Sequence, residues 1–84
     1  MSDIEAQVRQ ILREALDVTE EQLTPNADLF EDLGGDSLDG TEIIMRVEEQ
    51  FGIEIPDEDA QKLRTVQQLI DYVKSHAPAE AKKP

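Results

Sequence analysis

Apolar residues recur at helical spacing in three separate stretches of the chain. In the first stretch they lie three or four residues apart, which is the period of an amphipathic helix, and they predict a helix over residues 3–16. Ser2 and Glu5 have the spacing of a capping box at its start. The apolar positions of this stretch are Ile4, Val8, Ile11, Leu12, Ala15 and Leu16.

The helical period is lost over residues 17–35 and returns over residues 37–50. Proline, glycine and polar residues in the first segment predict a long loop, and loops of this length in small domains are often functional. The second segment predicts a helix with Asp36 as its N-cap and Gly52 at its end. The apolar residues expected to face the core are Val18, Leu23, Leu29, Phe30 and Leu33 in the loop and Ile43, Ile44, Val47 and Phe51 in the helix.

Two further helices are predicted in the C-terminal part of the chain. Pro56 cannot continue a helix but often precedes one, so residues 57–62 predict a short third helix. Thr65 and Gln68 repeat the capping-box spacing and open a fourth helix that ends near His76. Its apolar positions are Val66, Leu69, Ile70 and Val73, and no segment of the chain shows the alternation of a strand.

Composition is consistent with one small folded domain. Of 84 residues, 22 are Leu, Ile, Val or Phe, which is above the content at which highly charged chains remain disordered. We predict an all-α domain over residues 1–76 and a flexible tail over residues 77–84. The longest uninterrupted apolar run is Ile43-Ile44-Met45, so we expect no membrane insertion. We also expect the protein to be cytoplasmic and monomeric.

The charge of the chain restricts its partners and its chemistry. Eight Lys and Arg against 20 Asp and Glu give a formal net charge of -12, which disfavours nucleic acid and anionic membranes. The chain has no Cys, so thiolate metal sites and cysteine nucleophiles are excluded. We predict no catalytic residues and no metal site. An EF-hand beginning at Asp32 fails, because Ser37 and Ile43 stand where Gly and Glu are required.

Ser37 is the candidate site of modification. It lies at the start of a predicted helix, directly after Gly34-Gly35 and Asp36. The amides and the positive dipole end at a helix start stabilise a phosphate group. The simpler interpretation is that Asp36 and Ser37 only begin the helix. Ser37 has no neighbouring histidine and the single His76 lies near the predicted end of the last helix, so a serine triad is excluded.

The segment around Ser37 resembles the attachment site of the acyl carrier protein family, whose mark is an Asp-Ser-Leu triplet at the start of the second helix. Here the triplet is Asp36-Ser37-Leu38, and the resemblance covers residues 3–75. The chain is similar to free-standing carriers of the bacterial type II fatty acid synthase or to a specialised relative. Further matches in family order are Glu31-Asp32-Leu33-Gly34, Glu48-Glu49-Gln50-Phe51, Ile55-Pro56-Asp57-Glu58 and Thr65-Val66-Gln67.

The resemblance implies a four-helix bundle with a long first loop and a short third helix. It also implies that Ser37 carries a 4'-phosphopantetheine arm, attached from coenzyme A by a phosphopantetheinyl transferase, with acyl groups held on the terminal thiol as thioesters. A space between the helices would shelter the acyl chain. The residues expected around that space are Ile43, Ile44, Val47, Phe51, Ile55, Val66 and Ile70.

Carboxylates on the second helix form a candidate docking face for partner enzymes. We expect acyl-transfer, condensing and reducing enzymes to present basic patches to it, in fast and salt-sensitive contacts. Leu38 and Met45 lie seven residues apart on one face and are the apolar candidates within it. The alternative is that these two residues belong to the core and the charges are only solvated. The acidic candidates are Asp36, Asp39, Glu42, Glu48 and Glu49.

Three residues depart from the family pattern. Gly40 and Thr41 are expected to loosen the second helix, and Arg46 adds a positive charge to it. These departures leave open a carrier dedicated to a specialised lipid, polyketide or aminoacyl pathway. A small acidic interaction module, regulated by phosphorylation of Ser37, is the alternative outside the family.

Overall fold

The computed structural model describes residues 4–77, and these fold into four α-helices joined by loops. Within that range no strand forms, and the only bridge between extended segments joins Asp28 to Thr65. The predicted all-α bundle is therefore confirmed. Ser2 of the first predicted capping box and residues 78–84 of the predicted tail lie outside the described residues. The helices are α1 (Ile4–Leu16), α2 (Ser37–Phe51), α3 (Asp57–Ala60) and α4 (Val66–His76).

The core is built from the apolar stripes that helical spacing predicts. Helix α1 packs against both α2 and α4, so its apolar stripe lies at the centre of the bundle. All buried side chains in the described part of the chain are apolar. The helical core residues are Val8, Ile11 and Leu12 of α1, Ile43, Val47 and Phe51 of α2, and Val66, Leu69, Ile70 and Val73 of α4.

Side chains at the helix starts fix where α2 and α4 begin. The Asp36 carboxylate accepts a hydrogen bond from the Asp39 amide, and Thr65 accepts one from Gln68 in the same way. Both sites are complete capping boxes. The sequence predicts the box at Thr65 and the N-cap at Asp36, and the reciprocal bond from Asp39 is an addition that the structure shows. Gly52 ends α2 with a φ of 68°, a left-handed conformation that glycine adopts without steric cost.

The long first loop returns its apolar residues to the core, as expected. Leu23, Leu29 and Leu33 are buried, and Val18 and Phe30 are half-buried against the core. The loop also contains a 3₁₀ helix over Glu20–Gln22, which apolar spacing did not predict because none of its residues is apolar. Its start is held by a hydrogen bond from the Thr19 amide to the Gln22 side chain.

Helix α3 is shorter than predicted. It ends at Ala60, whereas the sequence predicted residues 57–62, because the chain tightens into a turn in which the Leu63 amide bonds the Ala60 carbonyl at 3.1 Å. That turn directs Leu63 into the core. Side chains of the neighbouring helices hold the segment: Tyr72 donates to the Asp59 carboxylate at 2.9 Å, and the Glu48 carboxylate accepts from the Ile55 amide at 2.7 Å.

The approach to α2 is tightly packed at Gly35. Its amide donates to the Leu29 carbonyl at 3.0 Å. A Cβ at this position would lie 2.9 Å from both the Leu29 carbonyl oxygen and Leu16 Cδ2. Because the first of these atoms belongs to the backbone, only glycine fits here, and the fit fixes the distance between the loop and the start of α2.

We expect Gly35→Ala to destabilise the protein by roughly 1–3 kcal/mol, the cost of overpacking a closely packed site. Urea unfolding followed by circular dichroism measures the change. Gly40→Ala is the matched comparison, because its new methyl group meets a side chain instead of a backbone carbonyl, and it should not destabilise the protein. Equal stability of the wild type and Gly35→Ala would contradict the packing described here.

Candidate functional site

Ser37 is the first residue of α2, and its side chain is exposed. The capping of the helix is performed by its neighbours: the Asp39 amide donates to the Asp36 carboxylate at 2.9 Å, and the Asp36 amide donates to Asp39 at 3.2 Å. The simpler interpretation of this segment is therefore correct for Asp36. It does not account for Ser37, because the cap is complete without the serine hydroxyl.

A cleft of about 650 Å³ lies beside Ser37. It runs along α2 from Ser37 to Glu48, about 16 Å at the rise of an α-helix, with α3 and the segment after it on the opposite side. Its volume is within the range of small-molecule sites. The lining residues are Leu29, Phe30, Ser37, Gly40, Thr41, Ile43, Ile44, Met45, Glu48, Ile55, Asp57, Ala60, Gln61, Leu63, Arg64 and Leu69.

The cleft differs from the space that the sequence predicted. Ile43, Ile44 and Ile55 line it as expected. The other four predicted residues, Val47, Phe51, Val66 and Ile70, are instead buried in the core. The long loop and the turn after α3 supply much of the wall, and they place residues there that helical spacing does not identify. The most informative of these are Phe30, whose ring faces Gly40 of α2, and Arg64, which lies over that ring.

Contacts to both the backbone amide and the ring of Phe30 hold this residue at the cleft. The Asp28 carboxylate accepts hydrogen bonds from the amides of Phe30 and Glu31, at 2.8 and 2.9 Å. A Cβ on Gly40 would lie 3.2 Å from Phe30 Cε1, so the ring rests on the backbone of α2. The Arg64 guanidinium lies over the ring, 5.3 Å from its centre, within the range of a cation–π contact.

Asp28 is the anchor of this arrangement. Hydrogen bonds from the Glu31 and Phe30 amides, together with the Arg64 charge, lower the pKa of the Asp28 carboxyl below its ordinary value of 3.8. The Arg64 side chain bonds the same carboxylate at 3.3 Å. Asp28 therefore connects the backbone of the loop to the cation that covers Phe30.

The predicted docking residues on α2 have unequal surroundings. Leu38 and Met45 are 78% and 54% exposed, so the alternative that they belong to the core is wrong. Glu42 and Glu49 are exposed as well. Asp39 is half-buried within the capping box, and the half-buried Glu48 bonds the Ile55 amide, so both carboxylates already have a structural role.

The positive charge of Arg46 is compensated within the chain. Its guanidinium bonds Glu14 of α1 at 3.0 Å and approaches Glu42 at 3.6 Å. Hydrogen bonds from Gln10 and Arg46 lower the pKa of the Glu14 carboxyl. The other three arginines, Arg9, Arg13 and Arg64, also pair with carboxylates, so no arginine of the described part adds an uncompensated positive charge.

The other departures from the family pattern are also absorbed by local contacts. The Thr41 hydroxyl donates to the Ser37 carbonyl at 3.1 Å, and Gly40 accommodates the Phe30 ring. Helix α2 is continuous through both positions, so the predicted loosening is not seen. His76 is exposed, stacks on Tyr72 with ring centres 3.9 Å apart, and contacts the Tyr72 carbonyl.

Metal sites and membrane-spanning helices are both absent from residues 4–77. Across that range, no group of three His, Cys, Asp or Glu side chains is arranged to hold a metal ion. None of the helices there has both the length and the apolar content needed to cross a membrane.

Comparison with known families defines the class of the protein. The family model described as the phosphopantetheine attachment site matches residues 6–73, and the chain belongs to this family. The resemblance to acyl carrier proteins is thereby confirmed, and membership of the family implies covalently attached 4'-phosphopantetheine. Carrier domains of this family are not themselves catalytic. Carrier domains of this family interact with phosphopantetheinyl transferases and biosynthetic enzymes. The exposed Ser37 and the adjacent cleft fit such a group.

We expect the anchor at Asp28 to make stability depend on pH. Its folded-state pKa lies below the unfolded value, so its contribution is complete above pH 3.8 and is lost as pH falls through the lower folded pKa. Asp28→Asn should therefore be less stable than the wild type at neutral pH, with a difference that shrinks in acid. Urea unfolding at a series of pH values measures the difference, and a difference independent of pH would contradict the role of the charge.

We expect Gly40 and Phe30 to be energetically coupled. Replacing a helical glycine by alanine stabilises a helix by about 1 kcal/mol, but the Phe30 ring opposes the new methyl group here. Gly40→Ala should therefore stabilise the Phe30→Ala variant by about 1 kcal/mol and the wild type by less. A double-mutant cycle of unfolding free energies tests this. Equal effects in the two backgrounds would show that the ring does not rest on Gly40.

Proposed function

We propose that Ser37 bears the 4'-phosphopantetheine arm and that the protein carries acyl chains for fatty acid or related lipid biosynthesis. The observation that carries the proposal is the position of Ser37, exposed at the start of α2 and on the wall of a long cleft. The arm, when bound, supplies a thiol on which acyl groups are held as thioesters. The chain supplies the attachment point, the adjacent shelter and the surface that partners bind.

The start of α2 favours a phosphodiester on Ser37. The first-turn amides of a helix have no partners in the helical ladder, and the positive end of the helix dipole lies there. The Asp36 carboxylate accepts a hydrogen bond from the Asp39 amide. The amides of Ser37 and Leu38 are the donors proposed for a phosphate oxygen. The proton of the Ser37 hydroxyl must be removed by the transferase, because the described contacts of Ser37 include no base.

The exposed face of α2 is the proposed docking surface. Leu38 and Met45 provide apolar contacts, and Glu42 and Glu49 provide negative charge around them. A basic patch on a phosphopantetheinyl transferase, or on an acyl-transfer, condensing or reducing enzyme, complements this pattern. We expect Asp36, Asp39 and Glu48 to contribute less to partner binding, because each carboxylate also accepts a hydrogen bond within the fold.

The pathway is proposed from the sequence around α2 and α3. The acidic Glu48-Glu49 pair and the Ile55-Pro56-Asp57-Glu58 run resemble carriers of the fatty acid type. They favour this pathway over an aminoacyl pathway. The alternative within the family is a carrier dedicated to a specialised polyketide pathway. A single domain over residues 1–76, a monomeric state and a cytoplasmic location stay predictions.

We expect the protein to gain one phosphopantetheinyl group when it is incubated with coenzyme A and a broad-specificity phosphopantetheinyl transferase. Ser37→Ala should retain the fold, because it removes no core atom, and should gain nothing. Ser75→Ala is the matched control, since Ser75 is an exposed serine on α4; it should be modified like the wild type. Intact-mass spectrometry measures all three.

Two results would contradict this proposal. Modification of Ser37→Ala would place the arm on another residue. A folded, initially unmodified wild type that gains no mass would contradict the carrier function and favour the acidic interaction module.

A further inference from the structure

The Phe30 side of the cleft is braced from several directions. Asp28 bonds the Phe30 amide at 2.8 Å, and the neighbouring Leu29 amide donates to the Arg64 carbonyl at 2.7 Å. The Phe30 ring then has the Gly40 backbone beside it and the Arg64 guanidinium over it. A side chain held in this way forms a fixed wall, because packed side chains and paired backbone groups resist displacement.

This wall stands next to the attachment point. Gly40 lies three residues after Ser37, so the two residues share one face of α2. Both line the cleft, and so does Phe30. An acyl chain tethered to an arm on Ser37 therefore enters the cleft past the ring. The absence of a side chain at Gly40 gives the ring its place against the helix.

We propose that Phe30 is a specificity-determining residue that restricts the cleft to unbranched acyl chains. The proposal rests on the proposed attachment of the arm to Ser37 and names the class of cargo that the cleft accepts. The cleft extends for about 16 Å along α2, and the Phe30 ring forms a fixed wall beside Gly40, three residues from Ser37. A linear chain follows the long axis, whereas a branch near the thioester meets the ring.

A comparison of two isomeric acyl groups tests the effect of chain branching at constant apolar content. The protein is loaded with an octanoyl, a 2-propylpentanoyl or an acetyl group from the corresponding coenzyme A thioester, and intact mass confirms each product before the melting temperature is measured. A chain inside the cleft stabilises the folded state, because it binds only that state. We expect the octanoyl group to raise the melting temperature of the wild type well above that of the acetyl form, and its branched isomer to raise it little.

Variants of the wall then identify the residue responsible. Phe30→Ala, and the milder Phe30→Leu if the first is poorly folded, should allow the branched group to raise the melting temperature as well. Ile53→Ala is the matched control, because Ile53 is a half-buried apolar residue that does not line this cleft. It should lower the melting temperature of every form and keep the preference for the linear chain.

The outcomes distinguish the two proposals. A wild type that takes no arm overturns the proposed function and, with it, the role of Phe30. A loaded wild type that is stabilised equally by both isomers overturns the role of Phe30 alone. The same holds if both Phe30 variants keep the preference, or if Ile53→Ala loses it.

Discussion

Three backbone hydrogen bonds tie the long first loop to the start of α4 and to the residues before it, and one of them joins the Gln67 amide to the Pro25 carbonyl at 3.1 Å. The Leu29 amide donates to the Arg64 carbonyl at 2.7 Å, and the Val66 amide donates to the Ala27 carbonyl at 3.2 Å. This pairing buries Leu29 and fixes its carbonyl. The Leu29 carbonyl accepts the hydrogen bond from the Gly35 amide, which positions the start of α2. The position of Ser37 thus depends on contacts made far from it in the sequence.

The cleft and the core share side chains. The apolar stripes of α1, α2 and α4 meet in the centre of the bundle, and Ile43 of α2 and Leu69 of α4 belong to this core and also line the cleft. Loop residues and the segment around α3 complete the wall. A ligand in the cleft would therefore contact side chains that hold the long helices together. In a small domain with a thin core, this shared wall matters for stability.

Ion pairs also connect the elements of the fold. The arginines of the described part lie in ion pairs that join α1 to the 3₁₀ helix, α1 to α2, and the loop to the segment before α4. The arginines therefore serve contacts within the chain. Exposed ion pairs contribute little stability individually. Their larger effect here is to compensate the charge of Arg46, so that acidic residues dominate the charge of α2.

Helical spacing and capping residues predicted most of the fold, because both are local properties of the sequence. The bounds of α1, α2 and α4 and the cap at Asp36 follow from them. The end of α3 at Ala60 does not, since it depends on where Leu63 reaches the core. Ser37 could be selected as the candidate attachment residue from its motif. The position of the Phe30 ring could not be predicted, because it is set by Asp28, Gly40 and Arg64, which only the folded chain brings together.

The four residues of α3 are too few to form a stable helix on their own. Their position is set by Glu48 of α2, through the Ile55 amide, and by Tyr72 of α4, through Asp59. Burial, together with the bond to Asp59, raises the pKa of the Tyr72 hydroxyl and keeps it a donor. The α3 side of the cleft is therefore held by contacts from α2 and α4 and not by its own helical hydrogen bonds, and a local opening there would not require the bundle to unfold.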